Sequence, residues 1–177
     1  MARLTPPRPL TAEDDRTTFD CGREALNNWF WRHAWHNQEA SVSRTSVVCD
    51  TQAGEIVGYV SLSAAQIERA WLAKSHQRNR PDPIPAVLLG QLAIDWRYQG
   101  RGYARSLMFF ALTTAVHLSE QVGCFCVLTH PLDDEVRAFY GSFGFEELPF
   151  DPGRSMAIRI NDLKHNGIGT NLRTDFG

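Results

Sequence analysis

The stretch that most limits what this 177-residue chain can become is Val87–Val122. It opens with Val87-Leu-Leu-Gly-Gln-Leu-Ala-Ile-Asp95, an almost unbroken apolar run too short to cross a bilayer, which predicts a buried strand. It closes with Ala104, Leu107, Met108, Ala111, Leu112, Ala115, Leu118 and Val122 at helical spacing, which predicts a helix laid on a sheet. Between them lies Gln99-Gly-Arg-Gly-Tyr-Ala104. A strand that turns on glycines into a helix leaves the first amides of that helix without acceptors. Those amides and the positive end of the helix dipole attract a phosphate. Gly102 and Ala104 have almost no side chain, so a diphosphate can come close to the main chain there. The spacing Gln99-x-x-Gly102-x-Ala104 lacks both the Gly-Lys-Ser/Thr ending of a phosphate loop and the three glycines of a dinucleotide fold. A turn that only closes a strand–helix corner is the other reading of the same residues.

The length predicts one domain with a proper core, spanning residues 1–162, and the Gly- and Asn-rich tail at 163–177 is expected to fray. The net charge of −2 argues against indiscriminate coating of nucleic acid. Nearly all the basic residues are arginine, however, and arginine forks match phosphate geometry, so a local phosphate-binding face remains open. Cys21, Cys49, Cys124 and Cys126 fit no zinc spacing and read as buried free thiols; no metal is expected. The first ten residues lack the apolar segment of a signal peptide, and no membrane association is expected, so the expected location is cytoplasmic.

Along the chain, Arg8 to Leu10 reads as an edge strand. Phe19-Asp-Cys-Gly22 reads as a helix start with Asp20 or Cys21 at the cap, followed by an apolar face of Leu26, Trp29, Phe30 and His33. Arg44–Asp50 and Glu55–Ala65 predict a hairpin across Thr51–Gly54, and Gln66–Ser75 either extends its second strand or opens a short helix. Arg78–Pro85 is a proline connector. Gly123–Thr129 predicts a strand parallel to the central one, because a long crossover helix separates the two. Asp133 or Asp134 caps a helix to about Ser142 with Gly144 as its stop, and Phe145–Phe150 with Ser155–Ile160 predict a last strand pair.

The turn Gln99–Ala104 between strand and long helix resembles the acyl-CoA loop of the GNAT acetyltransferase superfamily. Ala138-Phe-Tyr140-x-x-Phe143-Gly-Phe145 resembles that superfamily's ending, in which a helix presents a tyrosine and runs into a Gly-Phe turn. The resemblance implies an α/β (α+β) GNAT fold: a mixed, mostly antiparallel sheet with a central splayed parallel pair, flanked by helices. More narrowly, Phe19-Asp-Cys-Gly22, Leu26-Asn-x-Trp29, Arg44-Thr45, Leu89-Gly-Gln-Leu-Ala-Ile-Asp95 and Pro131-Leu-Asp-Asp-Glu135 resemble the GNAT toxins of type II toxin–antitoxin systems. One departure is Gln91, where many relatives place an arginine. That likeness implies acetylation of the α-amine of aminoacyl-tRNA, a block of translation, and a ribbon-helix-helix antitoxin as partner.

The same resemblance implies acetyl-CoA as co-substrate, with its diphosphate on the amides of Gly100, Arg101, Gly102, Tyr103 and Ala104 after Gln99, and Arg101 and Arg105 adding charge. The pantetheine arm is expected along the backbone of Leu92, Ala93 and Ile94. Tyr140 is the expected general acid, since a phenol of pKa about 10 keeps its proton at neutral pH. A backbone-bonded tyrosine at a helix end is the alternative. An α-amine has a pKa of about 8, and the neighbouring ester of an aminoacyl-tRNA should lower it further, so much of it is already uncharged. A dedicated base is therefore optional; His130 and Glu135 are open to the role, and an ordinary loop histidine and helix-start carboxylate explain them equally well. Candidate tRNA contacts are Arg44, Arg78, Arg80 and Arg97. Phe109 and Phe110 lie off the sheet-facing stripe of the long helix and suggest a second contact, a homodimer or antitoxin surface. Two other functions fit the same residues: a GNAT enzyme acting on a small-molecule, peptide or protein amine, and a non-catalytic acyl-CoA-fold module. The intact turn and Tyr140 weigh against the module.

Overall fold

The computed structural model describes residues 2–169. Seven strands follow the order β1-β2-β3-β4-β5-β7-β6. They are β1 (Arg8–Pro9), β2 (Arg44–Asp50), β3 (Glu55–Ile67), β4 (Ile84–Ile94), β5 (Cys126–Thr129), β6 (Glu146–Glu147) and β7 (Met156–Arg159). The helices are α1 (Glu24–Arg32), α2 (Ala34–Glu39), α3 (Lys74–Gln77), α4 (Tyr103–Gln121), α5 (Asp134–Gly141) and α6 (Ile160–His165). The described residues fall into two compact units, 2–63 with 89–111 and 64–88 with 112–169.

In the first unit, β1 and β2 pair antiparallel, as do β2 and β3, with a register shift at Val48/Cys49. The hairpin is therefore where the β-rich residues and the Thr51–Gly54 turn predict it. Its core is aromatic. Tyr59 stacks on Phe30 with ring centroids 4.1 Å apart, Phe19 meets Phe30 edge-on at 5.0 Å, and Leu10, Leu26, Val47 and Ile56 complete the cluster. The buried Tyr59 hydroxyl donates to Leu26 O at 2.8 Å, so its polar tip is satisfied. Gly58 has a packing role. A Cβ there would stand 2.5 Å from Ile94 Cδ1 and 3.0 Å from Ala93 O and Leu107 Cδ1.

In the second unit, β4 and β5 are parallel with Ala86↔Cys126, Val87↔Val127 and Leu88↔Leu128 in register. The ladder ends there, while β4 itself continues to Ile94. This is the parallel pair expected at the centre of the sheet. β5 pairs antiparallel with β7, and β7 with β6. Ile67, Leu72, Ile84, Ala86, Cys126, Leu128 and Leu148 form this unit's core.

Several boundaries differ from the sequence expectation. Helix α1 starts at Glu24 with Arg23, and not Asp20 or Cys21, at the cap position, and Arg23 makes no side-chain cap. Asp20 is already committed, accepting from Gly22 N–H and Asn27 Nδ2, and Gly22 turns the chain at φ +79°. Ile84 and Pro85 belong to β4 and not to the connector, and β5 begins only at Cys126. Gln66–Ser75 does both things: β3 runs to Ile67, then a 3-10 turn (Arg69–Trp71) and α3 follow. The last strand pair shrinks to Glu146↔Ala157 and Glu147↔Met156. In the expected tail, Leu163 is buried within α6, and 170–177 lie outside the described residues. Val122 lies past the end of α4 and is exposed.

Gly58→Ala is expected to lower stability by about 1–3 kcal/mol, because a backbone carbonyl on β4 must move to admit the methyl. Urea titration of the two proteins measures it; equal midpoints would mean that the strands accommodate the methyl without strain.

Candidate active site

The end of β4 and the start of α4 make a corner whose main chain is bare. Gly100 (φ +74°) and Gly102 (φ +83°) hold left-handed conformations, and a Cβ at either would meet nothing within 4 Å. Glycine is thus required here by backbone conformation and not by packing, and the space above the corner is open. Ser106 N–H donates to Gly102 O at 3.2 Å. The amides of Gly100, Arg101, Gly102, Tyr103 and Ala104 find no acceptor among the described residues. Five consecutive free N–H groups at the start of a 19-residue helix form an anion cradle. Arg101 and Arg105 are exposed beside it, Arg101 with Nη2 on Arg97 O at 3.2 Å and its guanidinium 5.6 Å from the Tyr98 ring.

The corner keeps its shape through contacts far apart in sequence. Asp95 is fully buried, and its carboxylate accepts from Arg97 N–H (3.0 Å), Arg97 Nε (2.8 Å), Arg97 Nη2 (2.9 Å) and Asp20 N–H (3.1 Å). Burial pushes this carboxyl up, but the Arg97 fork and the two amides outweigh it and hold it below its ordinary value. Arg97 Nη1 reaches Glu55 at 2.6 Å. Trp96 N–H donates to Asp20 O, and Gln99 Nε2 donates to both Cys21 O and Ile94 O at 2.9 Å. The Phe19–Gly22 segment, read from sequence as a helix start, is therefore the clamp under the corner.

This sorts the expected residues. Leu92, Ala93 and Ile94 form the end of β4, beyond the last β5 pair. Gly100 through Ala104 form the cradle. Gln99 supports it, since its side-chain amide is spent on the protein's own carbonyls. Arg97 is turned onto Asp95 and Glu55, so its fork is committed within the fold. Arg44 and Arg78 are exposed. Arg80 is half-buried, with its guanidinium 4.2 Å from the Phe125 ring and Nε on His76 O at 2.9 Å. The Asp20–Asp95–Arg97–Glu55 set escaped sequence reading because its members share no spacing.

In the second unit, Asp133 caps α5 by accepting from Val136 N–H at 2.9 Å, and the helix carries Tyr140. Tyr140 is 5% exposed, with Phe145 edge-on at 5.2 Å and Phe139 at 5.6 Å. Burial raises the phenol's pKa, and a hydrogen bond with Thr129 at the end of β5 offsets this only in part. The hydroxyl therefore stays protonated at every pH near neutral. All four cysteines are free, and burial pushes the Cys126 thiol up to about 12, which leaves it inert. No group of three His, Cys, Asp or Glu among the described residues is placed to hold a metal, and no helix among them is long and apolar enough to cross a membrane.

Gly102→Val should cost about 1–2 kcal/mol of left-handed strain and block the cradle, so calorimetric affinity for acetyl-CoA should fall roughly tenfold or more. Unchanged affinity would remove the cradle from the binding site. Asp95→Asn should destabilise the fold at neutral pH. The native advantage is present above the ordinary carboxylate pKa and is lost as pH falls through Asp95's lowered folded value, so acid titration of both proteins should show the stability gap closing.

Residues 42–147 match the family described as Acetyltransferase (GNAT) domain. A tRNA-acetylating toxin of Mycobacterium tuberculosis is 36% identical over 158 residues, 89% of this chain and 94% of that protein. Among solved structures, AtaT complexed with acetyl-methionyl-tRNAfMet is similar with a TM-score of 0.85 and 31% identity, covering 93% of this chain and 99% of that one. A Tyr-to-Phe mutant of AtaT, bound to the C-terminus of the antitoxin AtaR and acetyl-CoA, gives a TM-score of 0.77 at 29% identity, covering 92% and 97%. The bare glycine corner, the parallel β4–β5 pair and the tyrosine on the helix after β5 thus sit in a chain that belongs to the GNAT acetyltransferase family.

Proposed function

We propose that this protein transfers the acetyl group of acetyl-CoA to the α-amine of aminoacyl-tRNA and so blocks translation in the cytoplasm, as the toxin of a type II toxin–antitoxin pair. The observation that carries the reading is the run of five amides at Gly100–Ala104 without an acceptor among the described residues, with left-handed glycines at 100 and 102. Their geometry fits a diphosphate. Acetyl-CoA supplies an activated acyl carbon and a thiolate leaving group; the chain's part is to hold and orient it. In this reading Leu92–Ile94 offers backbone groups to the pantetheine amides, Arg101 and Arg105 add charge, and Tyr140 gives its proton to the departing sulfur.

The substrate and partners are supported by the relatives. The mycobacterial relative is named for acetylating tRNA, AtaT is held with acetyl-methionyl-tRNAfMet, and its mutant is held with acetyl-CoA and an antitoxin C-terminus. Arg44, Arg78 and Arg80 are the side chains we assign to tRNA phosphates, and Arg97 supports the corner. We assign a ribbon-helix-helix antitoxin and a second copy of the chain as partners. The exposed Phe109, Leu118 and Val122 support an apolar contact on and just beyond α4. The net charge of −2 favours a smaller amine as the alternative substrate, since phosphate contacts dominate affinity for nucleic acid.

Induced expression should arrest growth, and Tyr140→Phe should relieve the arrest. In vitro the variant should lose about 10²–10⁴-fold in kcat, the range of a general acid, while binding acetyl-CoA as the native chain does. Charged tRNA from arrested cells should carry N-acetylated amino acid. Arrest without acetylated tRNA would point to the smaller amine, and a fully active Tyr140→Phe would remove the acid assignment.

A further inference from the structure

The segment that leads from β3 towards β4 carries cations and no acids: residues 69–80 hold Arg69, Lys74, Arg78 and Arg80 without an aspartate or glutamate among them. Arg78 is exposed and Arg80 half-buried. Arg80 is held in place from within the second unit. Arg69 Nη1 donates to its carbonyl at 2.9 Å, its own Nε donates to His76 O at 2.9 Å, and its guanidinium lies 4.2 Å from the Phe125 ring. Both of its terminal nitrogens are without an acceptor among the described residues.

Arg80 borders a cavity of about 100 Å³ that Cys124, Phe125, Arg159, Ile160 and Asn161 also line. Arg159 spends Nε (2.7 Å) and Nη2 (2.8 Å) on the Asp162 carboxylate, and its Nη1 lies 3.3 Å from His76 Nε2. A guanidinium has five N–H donors, so Arg159 keeps donors beyond these. The exposed Asn161 side chain bonds nothing among the described residues. The planar acceptor that suits an arginine fork is already present as Asp162. What is left on the cavity wall is one uncompensated positive charge and donors on three separate side chains. Such a set suits an anion with several oxygens in different directions, which is the shape of a phosphate. The apolar surface of Phe125 and Ile160 on the same wall lowers the local dielectric and strengthens that attraction.

We propose that this cavity seats a backbone phosphate of the tRNA, with Arg80, Arg159 and Asn161 as its donors; this rests on the aminoacyl-tRNA reading above. A nucleic acid offers phosphates in series, and the acid-free run that carries Arg78 and Arg80 meets such a series without repulsion. Arg80 is already ordered by His76, Arg69 and Phe125, so little side-chain freedom is lost when the phosphate arrives. The contact is to the backbone, so it sets the register of the tRNA without reading its sequence.

The test uses the full chain with acetyl-CoA and charged tRNA. Asn161→Asp places a negative charge on the cavity wall at an exposed side chain that bonds nothing among the described residues, so the fold is kept. It should raise KM for charged tRNA about tenfold, the loss of one charged hydrogen bond, and leave kcat as it is. Arg80→Gln should do the same and reduce the slope of log affinity against log salt by about one. Inorganic phosphate, added to protein saturated with coenzyme A, should broaden its phosphorus resonance with the native chain and much less with Asn161→Asp. Equal KM and equal broadening in the native chain and Asn161→Asp overturn the site. Reduced broadening with an unchanged KM assigns the cavity to free phosphate and overturns the tRNA contact. A native chain that leaves charged tRNA unacetylated, yet shows the difference in broadening, overturns the substrate reading and keeps the phosphate cavity.

Discussion

The buried carboxylate of Asp95 is the interaction on which the corner depends. It is fully shielded from water, yet it stays ionised because four donors converge on it, three of them from Arg97. A buried charge keeps its place only when it is paired and its lone pairs are filled. The arrangement works in both directions. Asp95 fixes Arg97 and the 3-10 turn Trp96–Tyr98 that leads into the cradle, and it also ties down Asp20 N–H. Tyr98 adds a further anchor by donating its hydroxyl to the buried Asp50 at 3.1 Å.

Five amides in a row without an acceptor among the described residues are costly unless water or a ligand fills them. The protein keeps them by spending side chains beneath and around the turn: Gln99 on Cys21 O and Ile94 O, Arg97 on Asp95 and Glu55. The main chain is held from below and left open above. A rigid support under a bare backbone is what preorganised anion binding asks for, since little reorganisation is left to oppose the ligand.

In the second unit the chemistry depends on burial. Tyr140 is buried, and burial raises its phenol's pKa, so it holds its proton near neutral pH. The β4–β5 ladder ends at Leu88↔Leu128, while β4 runs on to Ile94 with Ala93 and Ile94 buried.

The order of elements, the glycine corner and the helix bearing Tyr140 were legible in the sequence because each rests on local rules. Period-2 and period-3.6 apolar patterns, glycine at positive φ and an Asp cap act over a few residues. The start of α1 at Glu24, the clamp from Asp20 to Asp95 and the inward turn of Arg97 were not. Each joins residues whose spacing carries no pattern, and which of several equally polar side chains reaches which partner is settled only when the backbone has brought them within hydrogen-bond distance. The sequence by itself determined what kinds of groups stand at the corner and on the helix. Only the tertiary structure decided which of them are spent on holding the protein together and which are left free to act, because a hydrogen bond used inside the fold is one that no substrate can use.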